Sequence, residues 1–226
     1  MTRFLTVLTL TAATLLFAGC RFDGSDGENP EEGEIPFFTK AEELFVPRKD
    51  EEGKTLTVFK TNDKKYWTYD GMTLWTVWGE DSGAFKRRTV KTAKSDGYSA
   101  GGYGIVFCQG EHETDGKTVC AMLVVMINNE GQYILGKAYG GVFVDFGWWK
   151  TSPYLNRGTG KSNEITVDYD ESKTEFVFYA NGKEIERFRD EEEPALRNGK
   201  NGYIVVTTPF DNFPSTAVDV YFGEEI

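Results

Sequence analysis

The fold is decided between Gly101 and Arg189, where short apolar runs alternate with turn residues. The runs read GGYGIVFCQG at 101–110, TVCAMLVVMI at 118–127, GQYILGKAY at 131–139, GVFVDFGWWK at 141–150, NEITVDY at 163–169 and EFVFYANGKEIERF at 175–188. Val, Ile, Phe and Tyr dominate them and Gly, Asn and Asp separate them, which is typical of consecutive antiparallel strands. Residues 119–127 are apolar on both faces, which indicates an innermost strand.

The flanking sequence continues this pattern in both directions. Asp70-Gly71 and Asn181-Gly182 are two-residue hairpin signals, and runs at 203–208 and 217–222 supply the last strands. The charged run 85–92 predicts a strand with one face in water or at a sheet edge. We find no long amphipathic helix and no internal repeat. The sequence therefore predicts an all-β fold, a two-layer antiparallel β-sandwich.

Composition excludes one class of partner. The chain has 226 residues, 39% of them hydrophobic, and a net charge of −11. The hydrophobic content supports a substantial core, and 226 residues suit one large β domain. A phosphate backbone requires clustered Lys and Arg, so we predict no nucleic-acid binding.

The N-terminus has the features of a targeting segment. Arg3 precedes an apolar run from Phe4 to Phe17, and Ala18-Gly19-Cys20 ends it. This ending resembles the lipobox of bacterial lipoproteins, although Phe17 stands where Leu is usual. The resemblance implies cleavage before Cys20 and acylation of its thiol; a transmembrane helix and a plain secretory signal are the alternatives.

The domain boundaries follow from this segment. Residues 1–19 are a predicted lipoprotein signal peptide, and residues 20–36 are a predicted disordered acidic tether, because Gly, Pro, Asp and Glu leave almost nothing to bury. Residues 37–226 are the predicted β-sandwich domain. By analogy with lipoprotein sorting in enteric bacteria, Arg21 favours the outer membrane, so we expect a lipid-anchored cell-envelope protein.

Two further cysteines flank a predicted hairpin. If the hairpin is centred near Thr114, Cys108 and Cys120 lie directly opposite one another, which suits a cross-strand disulfide in an oxidising compartment. Two reduced, buried thiols are the alternative.

No cofactor is predicted, and a structural calcium ion is left open.

The order of these motifs resembles the laminin-G-like, concanavalin A-like jelly-roll domains of exported bacterial proteins. The resemblance covers residues 54–224 and rests on the Gly-Tyr-Gly strand at 102–104, on Asn163 before the strand 165–169, and on the Tyr179–Gly182 hairpin. It implies a concanavalin A-like jelly roll. That group includes glycan-binding modules, adhesive modules and catalytic domains, so the resemblance does not choose among them.

Catalytic motifs are missing from the sequence. Glycosidases of this superfamily carry carboxylates at alternating positions of one strand. The pairs that come closest are Asp168 with Asp170, Glu184 with Glu186, and Glu111 with Glu113. We assign all three to turns, loops or solvated faces. His112, the only histidine, falls in the predicted hairpin loop, where it supports neither a metal site nor a catalytic triad, so we predict no enzymatic activity.

Aromatic residues remain as candidates for a sugar-stacking surface. The candidate ligand-binding residues are Trp148, Trp149, Trp67, Tyr69, Trp78 and Tyr154. Adjacent residues of a strand face opposite sides, so one of the two neighbouring tryptophans should be exposed. Three hypotheses follow, in decreasing order of preference: a non-catalytic carbohydrate- or ligand-binding module, an adhesive or structural domain that binds an envelope protein, and a glycoside hydrolase. The sequence does not indicate an oligomeric state.

Overall fold

The computed structural model describes residues 38–66, 71–78, 83–114, 116–191, 194–211 and 217–224. The predicted signal peptide and tether, Cys20, Trp67 and Tyr69 lie outside these residues. The described strands are β1 Phe38–Lys40, β2 Phe45–Lys49, β3 Thr55–Thr61, β4 Met72–Trp78, β5 Arg87–Asp96, β6 Tyr103–Thr114, β7 Lys117–Ile127, β8 Gln132–Tyr139, β9 Val142–Asp145, β10 Lys150–Thr151, β11 Asn163–Asp170, β12 Glu175–Ala180, β13 Lys183–Phe188, β14 Lys200–Thr207 and β15 Val218–Glu224. Two 3-10 helices, Glu42–Leu44 and Lys64–Tyr66, complete the described elements.

The strands form two sheets. The front sheet has the order β1-β4-β14-β6-β7-β8-β10, with β9 also paired to β8, and the back sheet has the order β13-β12-β11-β5-β15-β3-β2. Neighbouring strands are antiparallel except β1 and β4, which are parallel. The charged strand β5 lies inside the back sheet, between β11 and β15, so it has one face in water and is not an edge. The predicted two-layer β-sandwich is confirmed.

The main core lies between the sheets. It joins front-sheet residues such as Ile105 and Leu123 to back-sheet residues such as Val90. Stacked rings connect the two layers: the Tyr203 and Phe222 centroids are 4.2 Å apart at an interplanar angle of 12°. Face-to-face burial of aromatic and aliphatic side chains therefore holds the sandwich together.

A second apolar cluster covers the outward face of the front sheet. Strand β7 shows the division: Ala121, Leu123 and Val125 belong to the main core, whereas Met122 and Val124 belong to the outward cluster. This division confirms β7 as an interior strand apolar on both faces. The outward face of the back sheet instead carries charged pairs such as Arg87 with Asp168. The two outward faces thus differ in character, and only the front one is apolar.

The hairpin between β6 and β7 corrects the predicted disulfide. The strands extend to Thr114 and from Lys117, and the register shifts between Phe107 and Gly110, so Cys120 lies opposite Glu111. The bulge places Cys108 at a φ of 52° with its side chain in the main core, while Cys120 packs against the outward cluster. The two thiols are on opposite faces of the sheet, and neither is disulfide-bonded. The same register places Glu111, His112 and Glu113 in a strand, so their assignment to a loop was wrong.

Candidate functional site

A groove of about 750 Å³ lies on the outward face of the front sheet. Its lining comes from β1, β4, β14, β6 and β7 and from the turn between β8 and β9. These elements follow one another across the sheet, and five inter-strand spacings correspond to about 24 Å. The groove therefore crosses the strands and suits an elongated ligand.

One wall of the groove is apolar. Trp75 and Val77 occupy alternate positions of β4, and Phe38 of the edge strand β1 stands beside them. The Phe38 and Trp75 ring centroids are 5.9 Å apart. Trp75 is 7% exposed, and its Nε1–H finds no hydrogen-bond acceptor within the described chain. The wall thus combines an aromatic surface with an unmet donor, which is uncommon in a native fold.

The part of the groove over β6 and β7 is polar. Gln109 and Glu111 of β6 and Thr118 and Cys120 of β7 line it. The Gln109 side-chain amide lies 3.5 Å from the Cys120 Sγ, toward which it donates. Burial is the main reason why the pKa of the Cys120 thiol is raised. A neutral, half-buried thiol therefore lies next to hydrogen-bonding side chains.

Charges stand at the rim. Lys200 of β14 is exposed, and Lys40 of β1 forms an ion pair with Glu42. Lys40, Lys200 and Glu111 are the charged residues in the described lining of the groove. Glycine at positions 140 and 141 leaves the turn between β8 and β9 without side chains. The groove therefore offers both donors and acceptors around an apolar wall.

The four aromatic candidates that the structure describes, Trp148, Trp149, Trp78 and Tyr154, do not converge on this groove. Trp149 packs against the outward cluster, and a Cβ on Gly102 would lie 3.1 Å from its ring. Gly102 lies eight residues before Gly110, which lines the groove. Eight residues of extended chain span about 25 Å. Trp148 is 57% exposed, but both tryptophans lie between β9 and β10, so the strand alternation on which their prediction rested does not apply. Trp149 and the groove thus share a face but lie toward opposite ends of it.

The other described candidates lie elsewhere. Trp78 is 41% exposed, and its ring centroid is 4.5 Å from that of Tyr203 and 5.0 Å from the Arg88 guanidinium carbon. Tyr154 is also exposed, and its carbonyl accepts a hydrogen bond from the Asn181 amide. Each has a structural neighbour that accounts for its position, and neither lines the groove.

The carboxylate pairs found in the sequence lie mostly on the back sheet. Asp170 accepts hydrogen bonds from Ser172 and Arg187, which lower its pKa. Arg187 likewise lowers the pKa of Glu184, and Glu186 binds Lys150 at 2.6 Å. Lowered pKa values are the opposite of what a catalytic acid requires. Among the described lining residues of the groove, Glu111 is the one carboxylate.

Sequence reasoning singled out Glu111 and Cys120 for other roles and did not bring the groove residues together. Strand β7 carries the signal: its outward positions change from apolar at Val124 and Met122 to Cys120 and Thr118 toward the hairpin end. A row of apolar residues that becomes polar marks the place where the outward cluster gives way to the groove. The sequence around Lys40 and Lys200 does not indicate that these residues line the groove, because β1 and β14 are far from β6 and β7 in the chain.

Two further tests concern metals and membranes. No group of three or more His, Cys, Asp or Glu side chains comes together as a metal site in the described ranges. No helix found there is both long enough and apolar enough to cross a bilayer.

Comparisons with known proteins place the fold. No protein-family model matches the sequence, and no curated protein matches it significantly. Among solved structures, a glycoside hydrolase family 16 endo-glucanase from Bacteroides ovatus is similar with a TM-score of 0.50, at 12% identity over 81% of this chain and 84% of that one. A Bacteroides ovatus mixed-linkage glucan family 16 protein in complex with a product also gives 0.50, at 10% identity over 82% of this chain and 86% of that one. The fold is thus a jelly-roll β-sandwich similar to theirs, as the resemblance implied.

Proposed function

We propose that this protein is a non-catalytic carbohydrate-binding β-sandwich, held at the bacterial cell envelope by a lipid on Cys20. The observation that carries the binding proposal is the groove across the front sheet, in which an aromatic surface over β1 and β4 continues into a polar surface over β6 and β7. Sugars present apolar ring faces and hydroxyl edges, so such a groove complements both parts of their surface. Proteins of similar fold that act on glucans support this proposal.

The proposal of binding without hydrolysis depends on the carboxylates. Glycoside hydrolysis generally needs two carboxyl groups about 5–9.5 Å apart across the scissile bond. Glu111 is the single carboxylate in the described lining. The unmet Trp75 Nε1–H adds a donor for a sugar hydroxyl or for a bridging water molecule.

The glycan test uses the full chain and a polysaccharide panel, with tryptophan fluorescence as readout. Lys200→Met and Glu111→Gln should each weaken a saturable hit about tenfold, because each removes a charge-assisted hydrogen bond. The matched controls Lys91→Met and Glu171→Gln change exposed residues outside the groove and should leave affinity unchanged. Equal effects in both sets would refute the groove as the site.

The same panel separates the alternatives. Release of reducing ends from any polysaccharide would favour the hydrolase. If no glycan binds while an envelope protein is captured by wild type and not by Lys200→Met, the protein-interaction domain replaces the present proposal.

Lipid attachment is tested independently of binding. Metabolic labelling with an alkyne fatty acid should mark the wild-type protein and not Cys20→Ser, and fractionation should move the variant from membranes to the soluble fraction. An unlabelled wild-type protein in the soluble fraction would refute the anchor.

A further inference from the structure

An exposed pair of aromatic rings lies on two loops outside the groove. Tyr98, between β5 and β6, and Phe210, between β14 and β15, are 37% and 69% exposed. Their ring centroids are 5.0 Å apart at an interplanar angle of 37°. Single exposed apolar residues are normal on a protein surface. Tyr98 and Phe210 are more than a hundred residues apart in the chain, and the fold brings their two exposed rings into contact.

The backbone beneath the rings is fixed by Asp211. The Asp211 carboxylate, on a residue only 5% exposed, accepts hydrogen bonds from the Tyr98 amide at 2.5 Å and the Thr208 amide at 2.6 Å. It therefore joins the two ring-bearing loops. A Cβ on Gly97, whose φ is +99°, would lie 2.8 Å from this carboxylate, so the close approach requires glycine.

Lys94 reinforces the same arrangement. Its side chain is fully buried, and its Nζ donates to the Tyr98 carbonyl at 2.8 Å and the Gly101 carbonyl at 3.2 Å. A buried ammonium and a buried carboxylate thus fix the backbone of the two loops that carry the rings before any ligand arrives. Preorganisation of this kind lowers the entropic cost of binding.

Two carboxylates accept hydrogen bonds from the loop that carries Tyr98. Asp96 is two residues from Tyr98, and the Ser99 hydroxyl donates to the Glu130 carboxylate at 2.9 Å. These side chains are acceptors for hydroxyl groups, and their charge disfavours an anionic ligand or an anionic membrane. A ring pair on a loop that also contacts two carboxylates complements an uncharged sugar, whose ring face stacks while its hydroxyls donate.

We infer that Tyr98 and Phe210 form a second sugar-binding site, specific for a neutral pyranose unit and separate from the groove. This site goes beyond the proposed function, because it needs none of the groove residues.

The test measures binding of full-length protein to cellotetraose, xylotetraose, mannotetraose and chitotetraose by saturation-transfer NMR and calorimetry. Phe210→Ala should weaken binding of at least one probe about tenfold. Phe210→Trp should retain it, and Phe210→Leu, which keeps an apolar side chain without a ring, should lose it. Tyr221→Ala changes an exposed tyrosine on the back sheet and serves as the control.

Several outcomes overturn the inference. They are binding to no probe, equal affinity of wild type and Phe210→Ala for every probe, or full retention by Phe210→Leu. Sedimentation with phosphatidylcholine vesicles that is lost in Phe210→Ala would assign the rings to a lipid surface instead. Binding reduced by Lys200→Met but not by Phe210→Ala supports the groove alone, and the reverse pattern supports the loop site alone, so the two proposals fail separately.

Discussion

Replacement of Lys94 by methionine tests the buried ammonium through the pH dependence of stability. Burial is the main cause that lowers the pKa of Lys94 from 10.5 to about 8, while Asp211 and Asp96 partly oppose it. Below pH 8 the Lys94 amine is protonated in both the folded and the unfolded chain. Burial of its charge then destabilises the folded state to the full extent. Between pH 8 and 10.5 the unfolded chain binds more protons, so stability rises with pH.

The magnitude follows from the two pKa values. The difference between 10.5 and about 8, at about 1.4 kcal/mol per pH unit, gives a gain of about 3 kcal/mol across this range. Burial also raises the pKa values of Tyr103 and Cys120, which lowers stability at high pH. Both groups remain in Lys94→Met, so they cancel in the difference between the two proteins.

The assay is urea unfolding followed by tryptophan fluorescence at intervals from pH 7 to 10.5. The free energy of unfolding of wild type minus that of Lys94→Met should rise by about 3 kcal/mol over this range. The absolute stability of the variant does not affect this slope. Parallel curves for the two proteins would refute the burial of a charged Lys94.

Other predictions concern the buried ion pair and the thiols. Asp190→Ala should lower the free energy of unfolding by about 3–5 kcal/mol, because it leaves the Lys137 ammonium buried without the carboxylate that lies 3.0 Å away. Glu52→Ala, at an exposed ion pair, should change it by less than about 1 kcal/mol, and equal losses in urea unfolding would contradict this assignment. Iodoacetamide should alkylate Cys120 in the native protein and Cys108 only after unfolding, as judged by peptide mass mapping. Recovery of a peptide with the two cysteines disulfide-linked would contradict the observed register.

Local patterns allowed most of the fold to be predicted. The run 119–127 is apolar at every position because its residues alternate between two apolar clusters. Asn181 and Gly182 adopt positive φ values of 49° and 75° between β12 and β13, as their turn chemistry requires. Both features depend on residues that are close in sequence, and this is why sequence reasoning found them.

The features that were missed depend on distant contacts. A bulge at Cys108 shifts the register of β6. Because this residue is not a glycine, the sequence does not indicate its positive φ. No neighbouring residue indicates that Lys94 is buried, because the carbonyls that accept its hydrogen bonds belong to the loop that follows β5. Most of the aromatic candidates chosen from the sequence were tryptophans. Tyr98 and Phe210 lie instead among turn residues, and their rings come into contact only in the folded chain.

The candidate groove was beyond sequence reasoning for the same reason. Its walls come from strands that are adjacent in the sheet but far apart in the chain, and β1 enters through a parallel pairing with β4. Only the outward residues of β6 and β7 are close in sequence. Trp75 lies at the boundary between the outward cluster and the groove.

Protection of Cys120 tests the central claim most directly, because this thiol lines the groove whereas Cys108 is in the main core. The full chain would be alkylated with iodoacetamide at pH 8.5, with and without the tightest-binding polysaccharide of the panel. Peptide mass mapping would give the rate at each cysteine. Binding in the groove predicts that saturating glycan slows alkylation of Cys120 at least tenfold, and that Lys200→Met raises the glycan concentration needed. An unchanged rate at Cys120 under saturating glycan would place the site elsewhere and contradict the account.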